Sequence, residues 1–190
     1  MTTTKLVSLI ILLLVLSACS SVINVTRDKP IAENKSERSF GKIIDDEVIE
    51  TKALVNLRQT SPELDQAHLV VVSYNGTVLL AGQVPTDDIV QQAGVIVRSL
   101  GEVKTLHNQL TAEPSLGFGT RSSDTWITSK LKTKMLAGSA TDGGNIKVVT
   151  ENSTVYLMGL ITREMATKAA DIARNTSGVE RVVKIFEYID

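Results

Sequence analysis

The sequence predicts an α+β protein whose folded part is two tandem copies of one small αββαβ unit. Three observations predict it. YNGTVLLAG (Tyr74 to Gly82) and ENSTVYLMG (Glu151 to Gly159) align at an offset of 77, and DEVIETK (Asp46 to Lys52) and DTWITSK (Asp124 to Lys130) align at 78. Each nonapeptide centres on a turn, Asn75-Gly76 or Asn152-Ser153, between two strand-like runs. Each hairpin is flanked by segments whose apolar residues recur at helical spacing. An apolar content of 43% is enough for packed cores. The net charge of -1 speaks against a globally basic nucleic-acid binder, and one cysteine cannot build a disulfide framework or zinc cluster.

Residues 1–18 have the form of a secretion signal. Lys5 supplies a positive start, Leu6 to Leu16 is an apolar run of eleven residues, and small residues lead into Cys19. The run falls short of the ~20 residues a membrane span needs. Leu16-Ser17-Ala18-Cys19 resembles the bacterial lipobox. That resemblance implies diacylglycerol thioether-linked to Cys19, cleavage before it and acylation of the new amino group, with no other cofactor. Ser20, where an inner-membrane-retained lipoprotein usually carries Asp, implies an outer-membrane destination facing the periplasm. Several acyl chains make such an anchor effectively permanent.

Residues 19–44 are mixed and polar without sustained periodicity, which predicts the lipidated cysteine and a flexible tether. Its coil reach is ~28 Å. Unit one is expected over 45–112, a linker over 113–122 and unit two over 123–190.

In each unit an aspartate, Asp46 or Asp124, is expected to cap a first helix. Ile49, Ala53 and Leu57, or Ile127, Leu131 and Met135, would form its buried stripe. Strands follow over 69–73 and 77–81, or 146–150 and 154–158. Gly82 and Gly159 are expected to end the second strand where a Cβ does not fit. Second helices start near Thr86 and Thr162, bury Val90, Ala93 and Val97, or Ala166, Ala169, Ala170 and Ala173, and stop at Gly101 and Gly178. Last strands over 104–110 and 181–189 complete units of ~65 residues, a size only marginally stable alone, so the two are expected to support each other.

This order of elements, with V-x-L-x-G closing the hairpin and a glycine before the final strand, resembles the BON domain. The resemblance spans 45–189 and implies two BON domains, each a small three-stranded mixed sheet packed by two helices. With the lipobox and SSDTWITSKL, the chain is similar to the dual BON-domain outer-membrane lipoproteins, the division- and outer-membrane-stress-associated lipid-binding family. That implies anionic-phospholipid binding through the second domain and a role in outer-membrane integrity; some relatives carry a haemolysin label. One departure is Gly101 to Leu106, a residue longer than the family pattern.

The two copies differ most in charge. Unit one has four basic and nine acidic residues, a net of -5; unit two has nine and eight, a net of +1. Unit two's first helix carries Lys130, Lys132 and Lys134 with no acid between Thr125 and Ala140. An anionic surface would repel the first unit and accept the second. The sole tryptophan, Trp126, lies on that helix about 140° from the core stripe, near Lys130, Thr133 and Ser129. Indole favours the headgroup level, and each nearby lysine adds ~1 kcal/mol on an anionic leaflet. The candidate lipid site is therefore Trp126, Lys130, Thr133 and Lys134 on the helix, Leu136 at its far end, and Gly119 and Thr120 before it. The residues alone leave a second reading open, in which Trp126 packs on unit one or the linker and the lysines serve a helix dipole.

Other features predict less. His68 and His107 lack metal-ligand spacing, Asp87-Asp88 suits a helix first turn, and Gly117-x-Gly119 is not placed to cradle a phosphate. Asp142-Gly143-Gly144-Asn145 lacks the remaining ligands of a calcium loop. No catalytic residue, metal site or small-molecule substrate is expected, and no enzyme. The competing function is an adaptor that docks an envelope-assembly or division protein. A haemolytic pore is disfavoured, since the mature chain has no apolar span and 4% aromatics.

Overall fold

The computed structural model describes residues 38–115, 117–137 and 145–190. The signal segment, Cys19, most of the expected tether and the Asp142 to Gly144 loop lie outside them. Unit one runs α1 (Phe40–Thr60), α2 (Pro62–Gln66), β1 (His68–Tyr74), β2 (Thr77–Val84), α3 (Asp87–Arg98) and β3 (Thr105–Ala112). Unit two runs α4 (Phe118–Ala137), β4 (Ile146–Glu151), β5 (Thr154–Ile161), α5 (Arg163–Arg174) and β6 (Arg181–Tyr188). Each unit is a three-stranded mixed sheet, its hairpin antiparallel and its last strand parallel to the middle one. The expected α+β class and element order are present, with α2 as an addition.

The first helices begin seven residues earlier than caps at Asp46 and Asp124 would place them. Ser39 caps α1 by accepting from Lys42 N, so Asp46 is not an N-cap but lies inside the helix, 2% exposed. Its carboxylate grips the hairpin turn instead. Oδ1 accepts from Ser73 Oγ at 2.7 Å and Gly76 N at 2.9 Å, and Oδ2 from Asn75 N at 2.8 Å and Arg38 Nη1 at 2.7 Å. Asp124 does the same for unit two, accepting from Asn152 N and Ser153 N, each at 2.9 Å. Both turns need left-handed backbone, at Asn75 and Gly76 and at Asn152 and Ser153, and a buried turn leaves amides that require acceptors. The aspartate repeat is thus a helix-to-hairpin brace.

Thr86 and Thr162 cap α3 and α5 by accepting from Ile89 N and Met165 N. The α3 helix stops at Arg98 with Ser99 as C-cap, short of Gly101. A Cβ on Gly101 would meet nothing within 4 Å, whereas one on Gly178, whose φ is +94, would lie 3.0 Å from the Ile127 side chain. The repeat pairing of these glycines therefore does not extend to their surroundings. The second strands run on past Gly82 and Gly159 to Val84 and Ile161. A Cβ would lie 1.9 Å from His68 O at Gly82, whose φ is +123, and 2.7 Å from Asn145 O at Gly159. The extra residue of unit one falls between Gly101 and β3, and the ladders keep a common start, Thr77 opposite Thr105 and Thr154 opposite Arg181.

Alternation along the middle strands builds three cores. Val78, Leu80 and Val84 point towards α1 and α3 with Ile49, Ala53, Leu57, Ala93 and Val97. Val155, Leu157 and Ile161 point towards α4 and α5 with Ile127, Leu131, Met135 and the buried alanines. The opposite faces meet each other, where Tyr74, Leu79 and Ala81 pack with Tyr156, Met158 and Ile185. The helices of each unit therefore cover the sheet face turned away from the other sheet, in four layers. Polar links reinforce the seam: Tyr74 OH donates to Asn145 O at 2.9 Å, Gln83 Nε2 to Glu151 Oε1 at 2.8 Å and Lys147 Nζ to Glu50 Oε1 at 2.9 Å.

Candidate functional site

The α4 helix buries Ile127, Leu131 and Met135, so helical geometry turns Trp126 outward. Its ring is 59% exposed and is not sealed between the units. Lys130, one turn on, holds its ammonium 4.5 Å from the ring centroid, a cation–π contact made at the surface. Leu136 is 68% exposed at the far end of the helix. Gly119 and Thr120 belong to the first turn of α4 rather than to a preceding linker, Gly119 exposed and Thr120 half-buried. Thr133 is exposed, but its hydroxyl donates to Ser129 O at 3.0 Å.

The lysines have a structural duty that the sequence did not reveal. Lys130 Nζ donates to Ser177 Oγ, and Lys134 Nζ to Thr176 Oγ1 at 3.0 Å and Asn175 O at 3.3 Å. They complement the C-terminal end of α5, a neighbouring helix, rather than their own. No local pattern could show this, because the partners are more than forty residues away. Every acceptor is neutral, and an ammonium has three donors. Positive charge and at least one donor on each lysine thus remain available, that of Lys130 beside the Trp126 ring and that of Lys134 further along α4. Lys132 is exposed, on the flank of the same helix.

The remaining candidates fall elsewhere. His68 Nε2 lies 3.2 Å from Glu151 Oε2 at the seam between the units. His107 sits in β3, where burial pushes its pKa below the usual value. Asp87 and Asp88 are exposed in the first turn of α3. Among the described residues no group of three or more His, Cys, Asp or Glu could hold a metal, and no helix is long and apolar enough to cross a membrane. The Asp46 carboxyl is pushed up by burial, but the bonds from Ser73, Gly76, Asn75 and Arg38 together hold it below the ordinary carboxylate value.

The BON domain family matches residues 45–114 and again 123–190. The chain is 37% identical over 153 residues to the outer membrane lipoprotein DolP of Haemophilus influenzae, covering 80% of this chain and 79% of that protein. It is 38% identical over 152 residues to a 21 kDa hemolysin of Actinobacillus pleuropneumoniae, covering 80% and 78%. Among solved structures it is similar to the C-terminal domain of CdsD, a structural protein of the type III secretion system of Chlamydia trachomatis. That match has 15% identity and a TM-score of 0.30, covering 76% of this chain and 67% of that one.

Proposed function

Because the chain belongs to the family of dual BON-domain outer-membrane lipoproteins, we propose that it binds anionic phospholipid through α4 of its second domain. Lipid on Cys19 anchors it to the outer membrane, facing the periplasm, where it supports membrane integrity. The observation that carries this reading is the exposed Trp126 ring with the Lys130 ammonium over it. A large aromatic on the wet face of a helix gains nothing from its own core, yet suits a headgroup layer, where an apolar body and a polar edge are both satisfied. Lys130 and Lys134 add charge that an anionic leaflet attracts at ~1 kcal/mol each. Such a site is weak alone, and the anchor makes weak sufficient by raising the effective lipid concentration.

Trp126 is the sole tryptophan, so its emission reports the contact directly. The chain from residue 19 onward, with Cys19→Ser, is titrated with phosphatidylglycerol vesicles and separately with phosphatidylcholine vesicles. A blue shift is expected with the anionic vesicles at low salt, suppressed by high salt and by Lys130→Glu with Lys134→Glu. Unchanged emission with anionic vesicles at low salt overturns the proposal.

A further inference from the structure

Unit one carries an apolar stripe that the described residues leave bare. Phe40, Ile44, Val48 and Val55 run along one side of α1 with Ile43 at the edge, and all five are exposed, Phe40 to 77%. The repeat supplies an internal control. At the offset of 78, Phe40, Ile43, Ile44, Val48 and Val55 become Phe118, Arg121, Ser122, Trp126 and Thr133. The same unit therefore folds with polar residues at three of these five positions, and the stripe answers to something other than the core. Contiguous exposed apolar surface of this kind marks an interaction site.

Charge selects the occupant. Glu47 sits within the stripe, exposed and without a cationic partner among the described residues, in a unit whose residues 40–112 carry a net charge of -4. An anionic bilayer is repelled by that face. The α4 face has the opposite character: Trp126 and Leu136 are exposed, and the ammoniums of Lys130 and Lys134 bond neutral oxygens only. The two stripes also match in length, at about 22 Å from Phe40 to Val55 and about 25 Å from Gly119 to Leu136 at 1.5 Å per residue.

We propose that α1 of one copy docks against α4 of a second copy, head to tail. The two helices cover outward faces of the four-layer fold, so both are available on each molecule and the contact propagates instead of closing a pair. A single helix-on-helix contact buries less than the ~1,600 Å² of a standard interface, so the association is weak in solution and is strengthened by confinement to one leaflet. It uses the face assigned above to lipid, so anionic phospholipid and a sister copy compete for Trp126.

The test is sedimentation velocity at low salt over a wide concentration range, on the chain from residue 19 with Cys19→Ser. The expected result is a mass that grows with concentration and falls back at high salt. Val48→Glu and Trp126→Ser, each checked by circular dichroism, are expected to remain monomeric singly. Their equimolar mixture is expected to form dimers and stop, because each variant supplies one intact face. No association at any concentration overturns the proposal. So does a mixture that stays monomeric, or a Trp126→Ser chain that still associates, which would mean α1 pairing with α1. The vesicle titration of Val48→Glu separates the two readings, since its lipid response does not depend on self-association.

Discussion

Replacing Asp46 by alanine tests the brace between helix and hairpin. The substitution orphans Gly76 N, which is buried, and Asn75 N, which is partly so, and it strips Ser73 Oγ and Arg38 of their acceptor. A buried donor left without a partner costs ~1–3 kcal/mol. The full penalty at Gly76, a reduced one at Asn75 and the lost Arg38 pair sum to roughly 3–5 kcal/mol. For a folded part of this size that lowers Tm by roughly 6–20 °C, at ~2–4 °C per kcal/mol. Urea unfolding followed by circular dichroism measures it directly. Asp45→Ala is the control, since Asp45 is exposed and makes only a surface pair with Lys42 at 3.3 Å, and is expected to change stability by less than ~0.5 kcal/mol. An Asp46→Ala loss under ~1 kcal/mol would refute the reasoning, because it would mean that water reaches the turn amides.

Asp46 also sets an acid limit. Its folded pKa lies below its ordinary value of 3.8, so its stabilisation is fully present above that pH and disappears as pH falls through the folded value. Urea midpoints between pH 7 and pH 2 should show this loss in the native chain and a flatter acid limb in Asp46→Asn. Gly82→Ala should destabilise by more than ~3 kcal/mol, since its Cβ collides with His68 O at a φ of +123. Gly101→Ala, with open space around it, should be within ~0.5 kcal/mol of neutral in the same urea assay.

The fold was legible where periodicity carried it. The stripes Ile49, Ala53, Leu57 and Ile127, Leu131, Met135 name the buried faces of both first helices, and that same spacing implies an outward Trp126. What was not legible is long-range. An aspartate before an apolar period reads locally as a cap, and only the three-dimensional return of the hairpin shows Asp46 and Asp124 serving turns about thirty residues away. The early helix starts did leave a trace: Phe40-Gly41 and Phe118-Gly119 stand at the same offset of 78 as the aspartates, so the repeat extends upstream of the expected boundaries. The sheet-to-sheet core left another, since Val78 to Ala81 and Val155 to Met158 are unbroken apolar runs, the mark of strands covered on both faces. The docking of Lys130 and Lys134 onto α5 left none, because serine, threonine and asparagine near a helix end are too common to signal a partner.

The core shared by the two sheets has a mechanical consequence. Tyr74, Leu79, Tyr156 and Met158 weld the modules back to back, so neither can swivel without baring an oily plate to water. Cutting the chain between modules would therefore leave them clasped, whereas either module produced without its twin would expose that plate and stick.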